Sequence, residues 1–175
     1  MKKATYLIFF IFLGFSFMAS EPSISWNEKY RLSWKDFRGQ PDNGSEVAAI
    51  TASGITYELG ARITGHKVEV DCKVSAHFYP EKSWYKKALA DSIILAHEQL
   101  HFDITELHAR KFRKAIEKAR FTENVKEEMR GIYDNINREL DAYQYRYDTA
   151  TDYSRNPEKQ QEWGKKIARE LKKSG

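Results

Sequence analysis

Residues 97–101 read His97-Glu98-Gln99-Leu100-His101, the pattern H-E-x-x-H. On an α-helix, four residues are about 400° of turn and about 6 Å of rise. Both imidazoles then leave the same side, one turn apart, and can hold one Zn²⁺. Glu98 lies beside that face. There it can take a proton from a water whose pKa the metal lowers to about 7, and hand it to a leaving amine. The chemistry expected is attack of a zinc-activated water on a peptide bond, with Glu98 as the catalytic base. A chain with 5 His meets this pattern by chance on the order of 0.01 times. The structural alternative is two satisfied histidines at a helix–sheet interface, with Glu98 in a salt bridge.

A hydrolytic zinc site needs a third protein ligand and one open position. The metzincin spacing asks for Gly at position 104 and His at 107, where this chain has Ile104 and Leu107. His108 is seven residues past His101, about 10 Å further along a helix, and cannot close the same site. That leaves the helix that follows. If the two helices turn back near residue 121, the level of His101 falls near residue 141, beside Glu139 and Asp141. Asp148 is about level with residue 94, at the start of the motif. Asp141, Gln144 and Asp148 share one helix edge. Asp141 is the expected metal ligand among these acids, with Glu139 and Asp148 as alternatives. Glu106 and His108 are candidates for orienting the ligands.

These residues must be positioned by the elements around them. The motif lies in a stretch without Pro or Gly, where Leu89, Ile93, Ala96, Leu100, Ile104, Leu107, Phe112 and Ile116 approximate a helical stripe. Ser83 is the expected N-cap. A second helix is expected after Thr122 as its cap, with Val125, Met129, Ile132, Ile136, Leu140, Tyr143 and Tyr147 repeating at three and four. A short third helix follows Pro157, with Trp163, Ile167 and Leu171 on one side and a solvated Lys-rich face on the other. Before residue 83 the texture is β. Leu32 to Phe37 alternates, and Val47 to Leu59 reads as a broken strand with a bulge at Gly54. Arg62-Ile63-Thr64, Gly65-His66 and Lys67 to Val74 read as a hairpin. In it Val68, Val70, Cys72 and Val74 fall on the buried side.

The chain has 175 residues, 41% hydrophobic and 31% charged, with one Cys. That length predicts one domain with a real core, and a single Cys excludes both an internal disulfide and a thiolate zinc cage. Cys72 is expected to be a small buried apolar residue. Lys2 and Lys3, then an apolar run from Tyr6 to Met18, then Ala19 and Ser20, form the pattern of a secretory signal peptide over residues 1–20. The mature protein is therefore expected to be secreted or periplasmic. Contact with a membrane is expected only if this segment stays uncleaved as an anchor. The formal charge of +4 falls to +2 without Lys2 and Lys3. With no long basic stripe, that excludes nucleic acid as the expected partner.

The segment from Leu95 to Glu106 resembles a bacterial family, the domain-of-unknown-function family nine-two-two, whose members are predicted secreted zinc-dependent proteases. Upstream, Leu32-Ser33-Trp34-Lys35-Asp36-Phe37-Arg38-Gly39-Gln40-Pro41 is similar to the family's N-terminal signature. Downstream, Tyr147-Asp148-Thr149-Ala150-Thr151, with Gln160 and Trp163, is similar to its C-terminal one. The resemblance implies a zinc-peptidase scaffold. In the family, a His usually stands two residues after the Thr of that last block and is a natural third zinc ligand. Here Tyr153 holds that place, so the resemblance adds Tyr153 as a metal ligand, with Asp152 beside it as a substitute.

The expected fold is α+β and zincin-like. An antiparallel N-terminal sheet, over about 21–82, packs against two long helices and a short terminal one, over 83–175, in a single domain. The expected function is a secreted zinc-dependent metallopeptidase acting on a peptide or protein. His97 and His101 hold Zn²⁺, Asp141 or Tyr153 completes the shell, and Tyr153 or a His steadies the oxyanion. The alternative is a decayed, non-catalytic module on the same scaffold. It would bind a peptide, a glycan or an envelope protein through Trp26, Trp34, Trp84, Tyr79 and Tyr85.

Overall fold

Alternation with period two puts Val68, Val70, Cys72 and Val74 on one side of a strand and Glu69, Asp71 and Lys73 on the other. The computed structural model, which describes residues 21–64 and 67–174, forms a long hairpin from that pattern. Strand β3 (Ser53–Thr64) pairs antiparallel with β4 (Lys67–Phe78) without a break, from Ser53 opposite Phe78 to Thr64 opposite Lys67. Gly65 and His66, expected as its turn, lie outside the described residues, as does the signal segment 1–20. Strand β1 (Ile24–Ser25) pairs with the other edge of β4, giving the order β1-β4-β3. A second, two-stranded sheet joins β2 (Ala49–Ile50) to β5 (Trp84–Tyr85).

Gly54 is no bulge: it sits in regular register opposite His77. A side chain there would press on the Tyr79 ring, 3.4 Å from the added carbon. Cys72 is half-buried on the inner side of the sheet. The alternating stretch from Leu32 to Phe37 is not a strand. Asp36 accepts hydrogen bonds from the Ser33 amide (2.7 Å) and hydroxyl (2.9 Å), which closes a 3-10 turn over Trp34–Asp36.

Three helices follow: α1 (Ser92–Lys118), α2 (Val125–Thr151) and α3 (Pro157–Ser174). Helix α1 starts later than Ser83. Ser83 is fully buried and spends its hydroxyl on the Ala52 amide and the Tyr79 carbonyl, and Asp91 caps α1 by accepting from the Ile94 amide at 2.7 Å. Thr122 does not cap α2 either. Asn124 occupies the cap position, and Thr122 bonds to Glu128 across the turn. Helix α3 runs 18 residues, longer than the short element expected, with Pro157 as its first residue after Asn156. Among the described residues no helix is long and apolar enough to cross a membrane.

Helix α1 is the middle of the molecule. One side lies on the hairpin, where Phe78 packs on Phe102 and Tyr57 on Phe112. Helices α2 and α3 cover its other sides, so nine consecutive residues, His101 to Ala109, are buried. The observed architecture is thus α+β, an antiparallel sheet against three C-terminal helices.

Candidate metal centre

A helix buried on all sides must satisfy its polar groups internally, because an unpaired buried donor or acceptor is costly. On α1 nearly every one is spent on structure. Asp103 accepts from Trp26 Nε1–H at 2.8 Å and Gln99 Nε2–H at 3.0 Å, and burial raises its pKa. Glu106 is paired with Arg110 at 2.8 Å and Arg113 at 3.1 Å. Glu106 is therefore a clamp on two arginines, away from the metal candidates. His108 donates from Nδ1 to the Ile104 carbonyl at 2.9 Å and accepts from Lys111. Thr105 bonds Ser53 and the His101 carbonyl.

Glu98 is the exception. It is 5% exposed, and among the described residues no side chain hydrogen-bonds or ion-pairs with its carboxylate. The expected structural salt bridge is therefore absent there. Thr51 fixes the backbone instead, its hydroxyl donating to the Glu98 carbonyl at 3.2 Å.

Beside it, His97, His101 and Asp148 bring three potential ligand atoms together. His97 Nε2 lies 3.1 Å from Asp148 Oδ1, His101 Nε2 lies 2.9 Å from the same oxygen, and the two Nε2 atoms are 3.2 Å apart. Protons satisfy at most two of the three edges, those from the two histidines to Asp148. Each imidazole offers one proton at most through Nε2, and a proton on one edge cannot serve another. Whatever tautomers are chosen, one edge brings two like ends together. A cation in the centre satisfies all three. A tetrahedral ion with bonds of about 2.0–2.1 Å sets its ligand atoms about 3.3 Å apart, close to the spacing observed. The donor set, two imidazoles and a carboxylate, therefore fits a divalent metal.

The surroundings orient the set. Gln144 Nε2–H donates to Thr105 Oγ1 at 3.3 Å, which turns Gln144 Oε1 toward His101. His101 Nδ1–H then donates to that oxygen at 3.0 Å, leaving Nε2 to face the other ligands. The His97 ring stacks on Tyr147, centroids 4.6 Å apart, and its Nδ1 is buried without a partner. Burial opposes charge on His101. The hydrogen bond that His101 donates to Asp148, then the charges of Glu98 and Asp148, outweigh it and raise its pKa. Burial likewise works against the Asp148 carboxylate. The hydrogen bonds from His101 and His97 win and hold it at about 2. Tyr147 is raised by burial and by the carboxylates of Glu98, Asp148 and Asp103, so its hydroxyl stays protonated.

Asp141 does not join the set. It lies on the exposed side of α2, one turn before Gln144 and two before Asp148. The connection between α1 and α2 spans 119–124, about where the fold-back was expected, but α2 returns so that Gln144, not Asp141, meets His101. Glu139 is exposed and bonded to Asn135. Asp152 is spent on Arg155 at 2.8 Å. Tyr153 is 53% exposed and is not among the clustered ligand atoms, although it lines the same cleft. Asp152, Tyr153 and Ser154 hold φ of 48°, 52° and 74°, three successive left-handed residues without glycine. Such residues cost about 1–3 kcal/mol each and cluster at functional sites. Here they end α2 one turn after Asp148 and carry Tyr153, Ser154 and Arg155 to the cleft rim.

The cleft measures about 670 Å³. Glu98, His97, His101 and Asp148 form its floor, and the segment Glu46–Thr51 forms one wall. Gln144 and Tyr147 touch the two histidines, a placement that periodicity conceals. Tyr147 reads as one more apolar position of its stripe, and Gln144 carries no charge to draw attention. The available signal is a polar pair, Gln144 and Asp148, one turn apart beside that stripe. The aromatics proposed as a binding surface are largely packed: Trp84 is buried, Trp34 stacks on Tyr85 at 4.5 Å, and Trp26 is tied to Asp103.

Fold and site together define an α+β protein whose central helix and its neighbour present a two-histidine, one-aspartate group able to hold a metal ion. The chain belongs to the family described as bacterial protein of unknown function (DUF922), whose model matches residues 27–155. No curated protein and no solved structure matches it.

Proposed function

We propose that the protein is an exported, zinc-dependent peptidase of zincin type. The observation that carries this reading is a triad of ligand atoms next to a buried carboxylate that nothing else uses, both on one cleft. His97, His101 and Asp148 would hold a divalent cation, which would supply Lewis acidity toward a water and a substrate carbonyl. Glu98 moves the proton. Its carboxylate takes it from the attacking water and delivers it to the amine nitrogen as the C–N bond breaks. Gln144 and Thr105 keep His101 in the tautomer whose free nitrogen faces the centre. Val47, Ile50, Leu89 and Ile94 give the cleft an apolar lining suited to a substrate side chain. Tyr153, at the rim, offers the hydroxyl that steadies the oxyanion. The motif Lys2-Lys3 with the apolar run behind it supports export.

Metal analysis of the purified protein tests this reading. About one zinc per chain is expected, and none in a His97→Ala/His101→Ala variant. Glu98→Gln should keep the metal and lose about 10²–10⁴-fold in peptide cleavage. A wild-type protein that holds no metal after incubation with zinc would overturn the proposal.

A further inference from the structure

Two turns along α1 from His101, three positive heads surround one aromatic ring. Lys111 Nζ, Arg146 Cζ and Lys166 Nζ stand 5.5, 5.3 and 5.0 Å from the centre of the Tyr143 ring. They come from three different helices, so the fold and not a local run of charge gathers them. Lys111 and Arg146, with Arg138, line a cavity of about 230 Å³ that Tyr143 and His108 also line.

Among the described residues none of these four cations makes an ion pair. Two carboxylates are near. Glu139 lines the cavity, and Glu170 accepts the Tyr143 hydroxyl at 3.0 Å. The positive charge still exceeds the negative. Lys111 is half-buried, and its contacts are the fully buried His108 and the Tyr143 face. His108 is itself fixed by its bond to the Ile104 carbonyl, so at 3.2 Å it holds the Lys111 head in place. An ammonium has three donors, and one is used here. Arg146 and Lys166 donate to no hydrogen bond among the described residues. Cations that outnumber the carboxylates near them and form no ion pair among the described residues leave an electrostatic demand that a multiply charged anion meets, and an Arg–Lys set suits phosphate oxygens.

We propose that this cavity binds a phosphate group, as a free phosphate ester or as a lipid headgroup. The site is separate from the cleft and does not depend on the peptidase reading.

The test is thermal unfolding of the purified protein in inorganic phosphate against sodium chloride at matched ionic strength. A saturable rise in Tm with phosphate, at roughly millimolar concentration, is expected. An Arg138→Gln/Arg146→Gln variant, altered at two exposed side chains that line the cavity, should need at least tenfold more phosphate. Lys111→Met should act in the same direction. Equal response to chloride would overturn the proposal, as would a phosphate response that survives in the double variant, because it would then arise elsewhere. Sedimentation with phosphatidylglycerol vesicles, against phosphatidylcholine, separates the two sources. Binding that needs Arg138 and Arg146 supports the headgroup. A phosphate response without vesicle binding supports the soluble ester, and neither response overturns both.

Discussion

Asp148 and His101 set opposite pH limits on the same cluster. Asp148 is held at about 2 because hydrogen bonds from both histidines outweigh the cost of burial. Its contribution to stability is present above the unfolded value of about 3.9 and is lost as pH falls through about 2. His101 is raised despite burial, by the hydrogen bond it donates to Asp148 and by the carboxylates around it. Its contribution is full below the unfolded value of about 6.5 and is lost as pH rises through the folded value. Metal-free protein should therefore have a higher urea midpoint at about pH 6 than at about pH 9. Metal binding runs the other way, since the proton must leave before the ion enters. Zinc affinity should climb about tenfold per pH unit until the raised His101 value is passed. Calorimetric titration at two pH values checks this, and a flat profile would count against proton competition at His101. Asp148→Asn preserves the volume and removes the charge. It should weaken metal binding by more than about 100-fold, beyond what loss of an outer contact costs.

At the scale of elements, the cap of α1 is a separable contribution. Asp91 accepts the Ile94 amide at 2.7 Å, and losing such a cap costs about 1 kcal/mol. Asp91→Ala should lower Tm by about 2–4 °C in a domain of this size and leave metal content unchanged. A drop in metal content would mean that the helix start and the site are coupled. The same helix shows what the chain makes legible. The hairpin could be read because period two persists over many residues. The two long helices could be read because their stripes do. The 3-10 turn at Trp34–Asp36 could not, because six alternating residues fit a strand equally well and only the Asp36–Ser33 contacts decide. Ser83 misled for a related reason. A serine before a helical stripe is a good cap, but here tertiary contacts to Ala52 and Tyr79 take its hydroxyl.

At the scale of the molecule, the site joins two helices that meet only through tertiary packing. His97, Glu98 and His101 were legible because one helix sets their spacing. The third member, Asp148, was legible only as an alternative to Asp141, because the choice depends on how α2 returns along α1 and a shift of a few residues exchanges one for the other. Helix α3 supports the arrangement from behind: Trp163 packs on Tyr147, centroids 5.6 Å apart, and Tyr147 stacks on His97. An ion held by α1 and α2 together would lock their register, and it would bind the folded chain but not the unfolded one. Such a ligand stabilises by about 2.7 kcal/mol at a hundred times its dissociation constant. Added zinc should therefore raise Tm by several degrees, chelation should reverse the shift, and Asp148→Asn should abolish it while Glu98→Gln retains it. An equal shift in wild type and Asp148→Asn would place the ion elsewhere and break the link between the cluster and the register of α1 and α2.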